Sequence, residues 1–434
     1  MIRRLQYALA GAVVGPLLLR AQRLRAPRRQ RAAGGPFGPP LESTRMLKDL
    51  MSRHYYQGRY ADGAVPVAWV TSGFPVEPLR ALGFHTVYPE NHAAMCGVQH
   101  LAPNLAEAVE REGYARDLCS YVRTDLGSLV TGRTPAGRLP RPDLLACCTN
   151  ICQTVLYWYR DLAQRLGVPL VLVDTPFVYG RALPHHLQYV QDQLEELIAV
   201  AEKVGGRKLD PGAFRDVTRL AKEASDLWGE CLATARARPA PWTGFDGFFH
   251  MAPVVALRGT EACCTYYRHL RDELQHRVRL GIGGLREERH RLLWDNLPMW
   301  FAVRELSRQL AEEGFTFVCT SYTHAWAEAG RHIDPEDPLG SAARAYTHII
   351  LNQDLANRLA LLSRLAKDYT CDGAVLHSDR SCKPYSLGQV DLRDRLAAGE
   401  GIRVLLLESD HNDPRAWSPT QGYDRLAAFM EGFT

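Results

Sequence analysis

The sequence predicts an α/β protein, with two Rossmann-like or flavodoxin-like parallel-sheet domains joined by a helical segment. Short apolar runs closed by turn residues alternate with helical periodicity early in the chain, mainly helical text follows, and the alternation then resumes. The 434 residues are also too many for one ordinary core, so two to three domains are expected.

Residues 1–33 contain eight arginines and no acidic residue, unlike anything after them. The apolar run 7–19 is only 13 residues long, too short to span a bilayer. It has the length of a signal-peptide core but no convincing small-residue cleavage site. Residues 1–44 therefore read as a basic N-terminal extension and linker, with the Gly- and Pro-rich stretch 33–40 as the linker. The extension is either an amphipathic or frayed tail, or a segment for membrane-surface contact or targeting.

The first α/β domain is expected over residues 45–184, with strands near 65–71, 84–88, 144–149 and 169–174 and crossover helices near 104–112 and 155–166. Residues 185–275 read as a helical segment, including 187–204 and 214–235, interrupted by a loop at 238–248. The second α/β domain spans 276–434, with strands near 315–320, 373–377 and 402–407 and a long helical stretch through 351–365. No sequence repeat is convincing, although two such halves could be distant structural duplicates. In units of this kind, functional groups gather in the loops at the carboxyl ends of strands.

Hydrophobic residues at 46% and charged residues at 23% match an ordinary globular body, which excludes a disordered or fibrous chain. A net charge of +4 gives no argument for nucleic-acid binding. A soluble, cytoplasmic protein is expected. Eleven cysteines is an odd number for a disulfide framework, and a chain of this size needs no cross-links to hold its core. Reduced thiols and metal binding become the leading explanation.

The placement of the thiols carries more than their number. Cys119 follows the helical stretch that ends at Gly113 and Tyr114; Cys147, Cys148 and Cys152 fall at the end of a strand and the start of the next helix, so that Cys152 lies near a helix N-terminus, where the dipole favours a thiolate; Cys382 follows a later strand. Three loops from two α/β units could converge. Three thiolates on a four-iron cubane leave one iron free for another ligand, while Cys96, Cys147 and Cys148 are candidates for a fourth or for a larger cluster. Cys319 and Cys371 are further reserves, and Cys231, Cys263 and Cys264 read as buried packing residues. Zinc is the rival, but the double pair of closely spaced cysteines typical of zinc sites is missing.

Pro75 and Glu77, Cys119-Ser120-Tyr121, Asn150 with Cys152, Ser381-Cys382, and Leu407-Glu408-Ser409-Asp410 followed by Asp413 and Arg415 occur in an order that resembles the 2-hydroxyacyl-CoA dehydratase and benzoyl-CoA reductase family. The resemblance covers roughly residues 45–434. Segments 294–300 and 321–326 look more like the reductase side.

The resemblance implies an iron–sulfur subunit of a low-potential, ATP-activated reductase or dehydratase working anaerobically on acyl-CoA thioesters. It implies a [4Fe-4S] cluster between two α/β domains, held by Cys119, Cys152 and Cys382, with a double cubane as a further form. The implied partners are a homologous second subunit or a homodimer mate, and a separate ATP-dependent activator. Consistent with the latter, the chain has no Gly-x-x-x-x-Gly-Lys-Ser/Thr phosphate loop. Ser72, Glu77, His92 and His324 are candidate proton-transfer groups, with capping or a satisfied polar contact as the other reading for Glu77 and the histidines. Glu408 and Asp410 read as structural anchors. The alternatives are a double-cubane reductase of small molecules and a non-catalytic structural or assembly subunit.

Overall fold

The computed structural model of the protein describes residues 2–15, 17 and 35–433. Two four-stranded, all-parallel sheets organise it. The first contains β1 (Val67–Val70), β2 (His85–Val87), β3 (Leu144–Cys148) and β4 (Leu170–Val173), in the order β2-β1-β3-β4. The second contains β5 (His290–Asp295), β6 (Phe315–Thr320), β7 (Gly373–Asp379) and β8 (Arg403–Ser409), in the order β6-β5-β7-β8. These are the same topology, the flavodoxin-like order 2-1-3-4, and each has its switch point between its first and third strands.

Central strands of such sheets are buried on both faces, which explains their unbroken apolar text. Along β1, Ala68 and Val70 join one core with Phe74, Trp228, Leu293 and Leu376, whereas Val67 and Trp69 join a second with Trp158, Trp294 and Val375. Both cores therefore run through both sheets. Helices Pro184–Gly205, Pro211–Ala233, Gly244–His250, Ala252–Ala256 and Glu261–Leu280 connect β4 to β5.

Two local expectations are corrected. Strand β5, which sits at the centre of the second sheet, is absent from the sequence reading because Arg291 interrupts its apolar run. Arg291 is fully buried and donates to the carbonyls of Tyr369, Ala237 and Ala235 and to Glu288, so its charge is satisfied inside the core. The loop expected at 238–248 turns into a helix at Gly244, because Thr243 and Asp246 cap it reciprocally.

Much of the basic extension, including residues 33 and 34 of the expected linker, lies outside the described residues. The described part of the linker is anchored: Phe37 bridges to Leu285, and the Gly38 N–H donates to the Gly284 carbonyl at 2.9 Å. Any side chain at position 38 would collide with the Gly283 carbonyl.

Candidate functional site

The two switch points face a shared cavity of ≈ 140 Å³. Cys119, the residue before helix Ser120–Thr131, lines it together with Cys152, from the turn after β3, and Cys382, from the turn after β7. The rest of its wall is mostly apolar, with Tyr121, Ile151, Trp158, Tyr322 and Trp326 prominent. Burial pushes the Cys152 thiol up to about 12, with Cys119 adding to the effect. Cys382 is raised well above its usual value by burial and then by Asp379, Cys119 and Cys152. Bare thiolates would be unstable here, so a cationic centre is the natural complement.

One tetrahedral zinc with Zn–S bonds of about 2.3 Å brings its sulfurs to roughly 3.8 Å from one another. Among the described residues, the only three candidate ligand groups whose atoms all lie within 4.8 Å of one another are Asp379, Asp410 and His411. Cys119, Cys152 and Cys382 do not form so compact a group, yet all three open into one space.

The Asp379–Asp410–His411 group is already internally satisfied. His411 Nδ1 lies 2.6 Å from Asp379, and its Nε2 lies 2.9 Å from Ser120 Oγ and 3.8 Å from Cys119 Sγ. Burial opposes a charge on His411, but Asp379 and Asp410 outweigh it and hold the imidazole well above its usual value. Asp410 accepts from Ser120 Oγ at 2.5 Å, from Ser381 Oγ, and from the N–H groups of Asn412 and Asp413 at 2.7 and 2.8 Å. A single buried carboxylate thereby ties the Cys119 loop of one half to the Cys382 loop of the other. Asp410 anchors the site as expected from sequence, whereas Glu408 is half exposed and pairs with Arg380.

Ser72 lines the cavity, but its partner there is Glu90, which sequence reasoning missed. Glu90 Oε1 accepts from the Ser72 N–H at 3.0 Å, while Oε2 is buried with no hydrogen-bond partner. Burial pushes its carboxyl up to about 7, against the lowering effect of the Ser72 amide. The available signal was its position, next to Pro89 at the helix start directly after β2.

Glu77 does not line the cavity. Its carboxylate pairs with Arg258 at 2.9 Å and accepts from Tyr346 Oη with both oxygens, so it is committed to a buried structural pair. Cys96 and Cys148 also lie outside it. Cys148 points from β3 into the first core and Cys147 into the second, as strand alternation requires, and Cys96 is enclosed on helix Pro89–Val98 near His92. His92 bonds Thr134, and His324 bonds the Thr320 carbonyl and Tyr369; burial lowers both to about 4. Cys231, Cys263 and Cys264 are buried in the helical region, and Cys319 and Cys371 pack 3.6 Å apart in the first core.

A second cavity of ≈ 670 Å³ adjoins the first, and Val255 and Tyr322 line both. Lys48, Tyr55, Tyr56 and Arg59 contribute to its wall, as do Phe248, Phe249 and Trp300. Trp300 Nε1 donates to Tyr121 Oη, joining the walls of the two spaces.

Fold and site define a two-unit α/β protein with a thiol triad at the crevice shared by its switch points. Residues 71–433 match the sequence profile of the 2-hydroxyglutaryl-CoA dehydratase D-component family, and the chain belongs to that family. It is 32% identical over 394 residues to the (R)-2-hydroxyisocaproyl-CoA dehydratase alpha subunit of Clostridioides difficile, covering 90% of this chain and 96% of that one. It is 31% identical to the (R)-phenyllactyl-CoA dehydratase alpha subunit of Clostridium sporogenes, covering 84% and 89%, and 30% identical to a benzoyl-CoA reductase subunit of Thauera aromatica, covering 79% and 83%. The chain is accordingly an enzyme subunit of the lyase or oxidoreductase kind.

Proposed function

We propose that this chain is the iron–sulfur subunit of a low-potential reductase or dehydratase acting on acyl-CoA thioesters, with Cys119, Cys152 and Cys382 holding a [4Fe-4S] cluster. The observation that carries this reading is the convergence of those three thiols, drawn from both halves, on one apolar cavity. When bound, such a cluster supplies single electrons at low potential and, with three thiolates, an iron open to a further ligand.

The chain's own residues would do the rest. The larger cavity is lined by Lys48 and Arg59 and shares Tyr322 with the inner one, which suits a long thioester whose phosphates meet the cations while its acyl group reaches the cysteines. Apolar walls around the inner cavity exclude water. Glu90, protonated below about pH 7 and with one oxygen unpartnered, is placed to give a proton to a departing hydroxyl or to a ring being reduced. Asp410 and His411 hold the Cys119 loop in register with Cys382.

A second subunit, as the relatives' own names as subunits suggest, and a separate ATP-hydrolysing activator complete the proposal. Anaerobic purification followed by iron, sulfide and zinc analysis tests it. About four irons and four sulfides per chain are expected for one cubane. Protein that stays colourless and iron-free after anaerobic reconstitution sinks the reading.

A further inference from the structure

One face of the N-terminal helix is covered, and the opposite face is apolar and exposed. It runs from Ile2 to Leu9 and continues as a wider turn through Ala10–Val14. Arg4, Tyr7, Gly11 and Gly15 follow one another at helical spacing on the inner face. Arg4 donates to the Ala64 carbonyl, Tyr7 Oη lies 3.1 Å from His85 Nδ1, and Gly11 and Gly15 sit against Gln57 and Tyr56 of helix Ser43–Gly58. At 100° per residue, the opposite face carries Ile2, Leu5, Leu9, Val13 and Leu17.

All five are exposed, from 42% at Leu9 to 73% at Ile2. A surface helix ordinarily turns its polar side to water, so an outward row of large aliphatic side chains marks a binding face. Its sequence surroundings say what it binds. Residues 1–33 hold eight arginines and no acidic residue, which complements an anionic surface, whereas a protein partner of ordinary mixed charge would need no such excess. Helical residues 2–15 span about 21 Å, short of the roughly 30 Å hydrocarbon core, and among the described residues no helix is long and apolar enough to cross a membrane. The described helix is therefore long enough to lie on a bilayer.

We infer that this N-terminal helix docks the protein on an anionic lipid surface, with Ile2, Leu5, Leu9, Val13 and Leu17 inserted at the headgroup boundary. Family membership does not supply the inference, since the matched region begins at residue 71. Gly15 also lines the larger cavity, so lipid bound here would sit beside that cavity's wall.

Vesicle flotation of the full chain is the test, comparing pure phosphatidylcholine with an equimolar phosphatidylcholine–phosphatidylglycerol mixture. Binding to the anionic vesicles alone is expected, weakened about tenfold by raising salt from 0.1 to 0.5 M. The double variant Leu5→Glu with Leu9→Glu should lose at least about tenfold in vesicle binding while its far-ultraviolet circular dichroism and melting temperature stay unchanged. Absence of binding to anionic vesicles, or equal binding by the double variant, overturns the inference. So does a double variant that changes only the oligomeric state, which would make this face a protein interface.

Discussion

The two halves share one topology but divide the chemistry of the site unequally. The first half contributes two thiols, Cys119 and Cys152, and the Glu90 carboxyl held by the Ser72 N–H. The second contributes one thiol, Cys382, and the charged scaffold of Asp379, Asp410 and His411. A common fold thus placed both switch points at one crevice, while the loops decided that one half presents a buried carboxyl with an unpartnered oxygen and the other a hydrogen-bonded framework. Fold dictates location; loop sequence dictates role.

The largest effect expected from breaking this division is on the thiols. Replacing Cys119, Cys152 or Cys382 by Ser should abolish cluster iron in anaerobically reconstituted protein, whereas Cys231→Ser, altered in the buried helical region, should retain it. Equal iron in all four variants would refute the ligand assignment.

Next is the tie between the halves. Asp410→Ala leaves two buried hydroxyls and two backbone N–H groups without their acceptor and should destabilise the fold by roughly 3–5 kcal/mol in urea denaturation. An unchanged midpoint would mean the halves do not depend on this carboxylate.

Glu77→Gln sharpens the contrast between an anchor and an acid. It leaves buried Arg258 without its counter-charge and should cost about 3 kcal/mol, yet leave iron content and the pH profile of activity unaltered. A shifted pH profile with normal stability would return Glu77 to the chemistry.

Glu90→Gln should show the smallest stability effect and the clearest pH signature. Folding raises the Glu90 carboxyl from 4.5 to about 7, so the native state keeps its proton where the unfolded state has lost it. Stability from this group is complete below pH 4.5 and is lost as pH rises through about 7, by about 3 kcal/mol in all. The Gln variant should lack this decline when denaturation at pH 5 and pH 8 is compared, and should lose most of its turnover. Wild-type turnover retained across that range would remove Glu90 from proton transfer.

Much of this was legible in the sequence. Seven of the eight strands, edge and central alike, announce themselves as short apolar runs bounded by turn residues. Cys119, Cys152 and Cys382 stood out because strand and helix ends are visible in periodicity, and strand ends are where such sheets place their chemistry. Strand β5 was hidden because a buried, fully bonded arginine reads in sequence as a surface residue. Glu77 and Glu90 each stand beside a proline at a helix start after a strand, so local text does not separate them.

Sequence alone therefore determined the alternation of strand and helix, the two-unit plan and the loops that bear thiols, since these depend on local periodicity and short-range turn chemistry. Tertiary structure decided which groups meet. Only across 269 residues of chain does Glu77 find Tyr346, and only across 290 does Asp410 reach Ser120. Those long-range contacts turn one glutamate into a structural anchor and leave Glu90 with a free oxygen at the cavity wall.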